Sequence, residues 1–309
     1  MTVRDSSSEF EILARLAARS DPGSAELFLG IGDDAAVLKL GDSCLAVSAD
    51  ALVEGVHFEM SYFSIADLAA KSIAVNASDI AAMGAVPKYF LVTITTPGTL
   101  DTEELLVALA RACTDYDASL IGGDLSAGRE LSISVTAIGV FSPDCQVLTR
   151  SGAQVGDAIM VTGPLGASAL GLRRLKAASA RLQDDASRAH LRPQAQVIAG
   201  TTAARSGAHA AIDVSDGLLA DLEHLLVASK VGATLFEVPV FASAELDDAL
   251  YGGEDYQLIL ATPEPQVIAA AFAKAQLELP IHIGTCLEEP DARLLFGQSY
   301  SPRGYQHHL

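Results

Sequence analysis

Five short segments hold the residues of this chain that could do chemistry together: Gly32-Asp33-Asp34, Ser48-Ala49-Asp50, Asn76-Ala77-Ser78-Asp79, Gly122-Gly123-Asp124 and Asp213-Val214-Ser215-Asp216-Gly217. Each alone reads as turn chemistry, since Asp beside Gly is ordinary in tight turns. Five of them, set at the ends of apolar segments, point to carboxylates that the fold gathers. Gathered carboxylates repel one another, which raises their pKa values and leaves some protonated unless a cation lies between them. Magnesium suits such a site, because it takes oxygen ligands, keeps several waters and joins one or two carboxylates to substrate phosphates. Asp79 lies in an Ala-rich helical run with Ile73, Ala74, Val75, Ile80 and Ala81. A charge there is either solvated on an exposed helix face, or paired or metal-bound. Asp216-Gly217 precedes an apolar helix whose N–H groups and positive dipole end favour phosphate. Ser215 or Asp216 is equally placed as a plain N-cap.

Better-known nucleotide and hydrolase sites are missing. Gly30-Ile31-Gly32 lacks a third, suitably spaced glycine, and Gly163-Pro164-Leu165-Gly166 is not followed by Gly-Lys-Ser/Thr, which disfavours a dinucleotide fingerprint and a P-loop. There is no Gly-x-Ser-x-Gly elbow and no His-Glu-x-x-His pair. Cys44, Cys113, Cys145 and Cys286 are scattered, so they read as reduced packing thiols rather than a zinc site or a disulfide framework.

The elements that would carry the aspartates follow from local pattern. Ser8 with Glu11 opens a short helix, Ser64 with Asp67 a helix to Met83, and Asp101 with Glu104 a helix to Asp115. Cys44–Ser48, Tyr89–Thr95 and Leu131–Val140 read as strands. Ser142-Pro143-Asp144 is turn-like, and a fresh strand starts at Ala158, which divides the chain into domains 1–145 and 146–309. In the second part a helix spans Ala167–Ala178, Ala180–Arg192 reads as polar surface, and Ala210–Asp213 is a strand. Leu218, Leu219, Leu222, Leu225 and Leu226 then form one apolar helical stripe. Strands near Tyr256–Ala261 and Ile281–Gly284 bracket a last helix.

Composition bounds the rest. The 309 residues are half hydrophobic and carry 20 basic against 39 acidic side chains, a net −19, which speaks against a nucleic-acid or anionic-membrane partner. A polyphosphate substrate would then need bridging cations to approach. No apolar run reaches the ~18 residues of a membrane span, and Met1–Phe10 has no signal-peptide core, which predicts a cytoplasmic protein.

In order along nearly the whole chain, these motifs resemble the thiamine-monophosphate kinase family, of the superfamily that includes aminoimidazole ribonucleotide synthetase and selenophosphate synthetase. The resemblance rests on Glu9-Phe10, Gly30 to Ala35, Ser48-Ala49-Asp50 with Glu54 to Phe58, Lys71 to Ala85, Gly122-Gly123-Asp124, Arg150 to Ala153, Asp213 to Leu218, and Gly252-Gly253-Glu254-Asp255-Tyr256. It implies a two-domain ATP-binding fold: an N-terminal α+β domain whose sheet forms a dimer interface, and a C-terminal α/β domain beside it. It implies ATP bound in an acidic cleft through several Mg²⁺ ions, with thiamine monophosphate as acceptor, thiamine diphosphate as product, and a homodimer. Asp34, Ser48, Ala49 (through its backbone), Asp50, Asp79, Asp124, Asp213 and Asp216 resemble the metal positions. Gly123, Asp124, Arg150 and Ser215 resemble nucleotide contacts, and His57, Glu254 and Tyr305 contacts to thiamine phosphate. Where the family commonly has threonine and arginine after Gly123-Asp124, this chain has Leu125-Ser126, with Arg129 further on.

No residue is assigned as general base. A phosphate monoester has a second pKa near ~6 and is largely dianionic at neutral pH, so transfer needs positioning and charge neutralisation instead. Other readings are another ATP enzyme of the superfamily, of cyclo-ligase or selenophosphate synthetase type, or a noncatalytic nucleotide- or cation-binding protein. Selenophosphate synthetases carry a reactive Cys or selenocysteine near the N-terminus, whereas the first cysteine here is Cys44.

Overall fold

Along Ser132–Val140 buried and half-buried residues alternate without exception, the period-two pattern of a strand with one face on a core. That strand is the middle of the first of two sheets in the computed structural model, which describes residues 25–143, 146–178 and 181–305 together with 12, 15 and 16. The helix expected from Ser8 and the Glu9-Phe10 motif lie largely outside the described residues.

The first sheet contains β1 (Leu27–Leu29), β2 (Ala36–Leu40), β3 (Ser43–Val53), β4 (Val86–Thr96), β5 (Ser119–Ala127) and β6 (Ser132–Val140) in the order β1-β2-β3-β6-β4-β5. All neighbours are antiparallel except β4 and β5. Helices α1 (Ile65–Ala82) and α2 (Thr102–Thr114) pack on this unit. Ser64 and Asp67 close a capping box at the start of α1, and Asp101 caps α2 through the N–H of Glu104. The core between helices and sheet includes Leu68, Ile73, Ile80, Phe90, Ile94, Leu105, Leu109 and Ile133.

The second sheet contains β7 (Ala158–Val161), β8 (Ala210–Asp213), β9 (Gly232–Leu235), β10 (Leu258–Thr262), β11 (Ile281–Leu287), β12 (Arg293–Leu295) and β13 (Gln298–Ser299), in the order β13-β12-β9-β11-β7-β10-β8. Its neighbours are antiparallel except β9 and β12. The accompanying helices are α3 (Ala167–Ala178), α4 (Asp185–Leu191), α5 (Val197–Arg205), α6 (Leu218–Ser229), α7 (Leu246–Tyr251) and α8 (Pro265–Lys274). The leucine stripe of α6 packs with Ile159, Val161, Ile212 and Ile283, while Met160, Leu258 and Leu260 meet Ala199, Ala203, Ile268 and Phe272 in a separate core. Adjacent strand residues thus feed different cores, as expected of a sheet covered on both faces.

Close backbone approach and a shared core help to lock the domains together. The backbones of α1 and α5 approach so closely that a Cβ at Gly200 would stand 2.0 Å from the carbonyl oxygen of Ala81. Tyr256, Leu175 and Leu191 of the second domain are buried in the core of the first.

One element differs from expectation. Ala180–Arg192 is not simply polar surface, because α4 buries Ala186, Ser187, His190 and Leu191. Its polar composition misleads because the arginines on either side serve a buried acid: Arg181 and Arg192 both donate to Asp67, whose carboxylate is held well below the usual range by them and by Ser64, against the opposing effect of burial.

Candidate active site

The strand period places Ser48 and Asp50 of β3 on the face that looks toward α1, with Ala49 on the other. One turn apart on α1, Asn76 and Asp79 meet them: Asn76 Oδ1 accepts the N–H of Asp50 at 3.0 Å. From the other domain Asp213 ends β8, its Oδ2 accepting from Ser78 of α1 at 2.6 Å. Asp34, just before β2, completes the group, and one carboxylate oxygen each from Asp34, Asp79 and Asp213 lie within 4.8 Å of one another. Asp79 is therefore no solvated helix face.

The charges in this group suppress one another's ionisation. Asp79 is raised well above the ordinary range by burial first, then by Asp213, Asp50 and Asp34. Asp213 is pushed up to about 7 by burial and then by Asp34, and Asp33 up to about 6 by burial and then Asp34. Among the described residues, Arg150 is the one cation set beside these acids. Its guanidinium donates to Asp34 Oδ1 at 2.5 and 3.2 Å, and its backbone N–H to Asp33 Oδ2 at 3.0 Å. Arg150 thus forms an ion pair across the domain junction. The other oxygen, Asp34 Oδ2, is buried without a hydrogen-bond partner. An orphaned carboxylate oxygen on a residue grouped with two further carboxylates is a donor set that fits a hard divalent cation.

Asp216 belongs to the same neighbourhood, since its charge acts on Asp213 and on Asp221. The loop it sits on is built differently from expectation. The N–H groups of Ser215, Asp216 and Gly217 all donate to Asp221 Oδ2 at 3.0 Å, so they are not free for phosphate, and neither Ser215 nor Asp216 caps α6. A carboxylate one turn into the helix has taken these donors, as helix N-termini require of some acceptor. Asp221 went unnoticed in the sequence because nothing local marks one acid within an apolar stripe as turned inward.

Gly123 and Asp124 lie apart from this cluster on the edge strand β5, in register with Val92 and Thr93 of β4. They line a groove with Val92, Leu106, Leu120, Gly122 and Leu125. Glycine is required at 123, where φ is +153° and a Cβ would stand 1.8 Å from the Val92 carbonyl oxygen. Arg129 is exposed beyond the end of β5.

The residues expected to contact thiamine phosphate separate into a pair and a neighbour. His57 Nδ1 accepts the N–H of Val53 at 3.0 Å, which leaves the proton of the neutral ring on Nε2. Lys71 Nζ lies 3.3 Å from the His57 carbonyl oxygen and 2.6 Å from Glu254 Oε1, joining His57 and Glu254. Gly253 must be small for Glu254 to reach that place, because a Cβ there would be 2.2 Å from the Ser215 carbonyl oxygen. Asp255 accepts from Gly166 and Ser168 at the start of α3, and Tyr256 enters the first core. Tyr305 is half exposed and is tied to the acidic loop by its N–H donating to the Asp216 carbonyl at 3.1 Å.

Comparison with known proteins gives the chain its family. Residues 32–141 match the N-terminal domain of AIR synthase related proteins, and residues 154–296 match their C-terminal domain. The thiamine-monophosphate kinase of Escherichia coli K12 is 39% identical over 301 residues, covering 92% of this chain and 90% of that protein. The solved structure of AaThiL complexed with AMPPCP and TMP is 29% identical with a TM-score of 0.86, covering 99% of each chain. The thiamine-monophosphate kinase of Stenotrophomonas maltophilia K279a is 34% identical with a TM-score of 0.76, covering 94% of this chain and 98% of that one.

Proposed function

We infer that this chain, which belongs to the AIR synthase related family through both of its domains and to the thiamine-monophosphate kinases within it, transfers the γ-phosphoryl group of ATP to the phosphate of thiamine monophosphate, giving ADP and thiamine diphosphate. The observation that carries the reading is the meeting of Asp34, Asp79 and Asp213 at the domain junction, in a chain so similar to enzymes of that name.

Asp34, Asp79 and Asp213 would hold magnesium, with Asp50, Asp216, the Ser48 side chain and the Ala49 backbone as adjoining positions and Asp124 on the separate edge strand. Bound there, Mg²⁺ supplies the charge neutralisation that lets two polyanions meet and stabilises the in-line transition state. The protein's own part is placement. The groove along β5 offers Gly123 and Asp124 to the nucleotide, with Leu106 and Leu120 as apolar walls for a base. Arg150, paired with Asp34, and Ser215, beside Asp216, would contact the nucleotide. His57 and Glu254 orient the acceptor, and Tyr305 stands beside the loop of Asp216. A phosphate oxygen of the acceptor attacks the γ-phosphorus as the bond to ADP breaks, and no side chain need take a proton from it.

Incubation with ATP, Mg²⁺ and thiamine monophosphate, followed by mass spectrometry, should find ADP and thiamine diphosphate in equal amounts. Inorganic phosphate as the main product would move the chain to another activity of the superfamily.

The reading extends to a homodimer. Leu45, Val47, Ala49 and Ala51 of β3, Leu91 of β4 and Ile138 of β6 share the face of the first sheet opposite the main core, and all are half-buried or exposed. Apolar faces of this kind mark an interface between symmetric copies. Light scattering at micromolar concentration should give twice the chain mass, and a monomer would overturn the dimer. Free thiols at Cys44, Cys113 and Cys286 suit the reducing cytoplasm. No described helix is long and apolar enough to cross a membrane.

A further inference from the structure

Lys71 is a motif lysine to which the proposed chemistry gives no task, yet its side chain is 0% exposed in the middle of α1. Burying an ammonium is costly unless it is paired and hydrogen-bonded. Its surroundings supply one carboxylate, Glu254 at 2.6 Å, one carbonyl, His57 at 3.3 Å, and the ring of Phe63 with its centre 5.5 Å away. Lys71 is thus compensated by Glu254 alone among the described acids.

Glu254 is held through its backbone and has a neighbour at each carboxylate oxygen. Its N–H donates to the Ser215 carbonyl at 2.8 Å, and the next residues are fixed by Asp255 on α3 and by the Tyr256 N–H on Val214 at 2.9 Å. Its φ is +65°, a conformation that L residues adopt only under constraint. Oε1 faces Lys71, and Oε2 lies 3.2 Å from His190 Nδ1, on a ring buried with Ser168 and Phe63. Burial brings His190 down to about 3, so it is neutral, and the same Nδ1 lies 3.0 Å from Ser168 Oγ. Lys71 holds Glu254 below its ordinary range against the effect of burial. About a quarter of the Glu254 side chain stays open.

We propose that Lys71 is a positioning residue for the acceptor: it holds the Glu254 carboxylate ionised and aimed, so that Glu254 accepts a hydrogen bond from the exocyclic amino group of the thiamine pyrimidine. The choice of the amino group over the thiazolium follows from charge, since Lys71 already neutralises Glu254 and leaves it an acceptor rather than a counter-ion. The proposal rests on the reading of Glu254 as a substrate contact. The same loop is bonded to Val214 and Ser215, which directly follow Asp213, so one network sets the acceptor relative to the acidic cluster.

Steady-state kinetics on the full-length chain test this with Lys71→Met, Glu254→Gln and the double variant. Each single change should raise KM for thiamine monophosphate roughly ten- to a hundredfold, the value of a hydrogen bond to a charged group. KM for ATP and kcat should stay within about twofold, a split that general loosening of the fold would not give. The double variant should resemble Glu254→Gln, because Lys71 acts only through that carboxylate. It also leaves no charge buried alone, so it keeps the comparison open if Lys71→Met does not fold. A double variant whose KM exceeds that of Glu254→Gln by another tenfold, or a Lys71→Met that raises both KM values alike, overturns the role of Lys71 while leaving Glu254 a substrate contact. An unchanged KM in Glu254→Gln overturns that contact itself, and the proposal with it.

Discussion

Asp213→Asn is expected to lower kcat by on the order of a hundred- to a thousandfold and, in protein stripped of divalent cations, to raise the melting temperature at pH 8. Both effects have one cause. Asp213 is pushed up to about 7 by burial and by Asp34, whereas unfolded it titrates near ~4. A carboxyl whose folded pKa lies above its unfolded value favours the fold while protonated, so its stabilising effect is complete below pH ~4 and is lost as pH rises through about 7. The amide is uncharged at every pH and can still accept from Ser78, which bonds to Asp213 Oδ2 at 2.6 Å. Its advantage over the parent chain should therefore be largest at pH 8 and vanish by about pH 4. Magnesium should reverse the order, since a ligand that binds only the folded chain stabilises it by mass action and the amide has lost a metal donor. Calorimetric melting in chelator and in magnesium, beside initial rates, checks both halves. Wild-type turnover, or a lower melting temperature in chelator, would remove Asp213 from the metal positions.

Free thiamine should be phosphorylated at least roughly 10²- to 10⁴-fold more slowly than thiamine monophosphate, the usual contribution of a general base. The monophosphate arrives as a dianion at neutral pH and needs no base; the alcohol of thiamine must lose a proton. The histidines near the acceptor cannot take it well. His57 Nδ1 is occupied by the Val53 N–H and its Nε2 carries the proton, while His190 is 1% exposed. Initial rates with each acceptor at saturating ATP and magnesium measure the ratio. Comparable rates would end the assignment of a phosphate acceptor.

Much of the machinery is legible along the chain because its causes are local. The capping box of Ser64 and Asp67 starts α1 as its spacing predicts, and the leucines at 218, 219, 222, 225 and 226 line one core. The Asp-Gly segments could be singled out because turn and close-approach chemistry is written in adjacent residues. The order β3-β6-β4 could not be, since β6 enters between strands that precede it in sequence and only packing of the whole sheet decides this.

Periodicities, caps and the aspartates on offer are all written in neighbouring residues. What each charge meets is settled by the fold. Asp67 reads as a helix cap, yet it also receives Arg181 and Arg192 from the other domain. Arg150 stands beside Asp34 only because the domain junction brings them together, and Lys71 meets Glu254 for the same reason. The N–H groups before α6 read as a phosphate site until Asp221 is seen to fill it. The physical reason is common to all four. Backbone propensity and hydrophobic period act over a few residues, whereas the energy of a buried charge depends on which opposite charge or donor lies within a few ångströms, and the folded chain alone sets that distance.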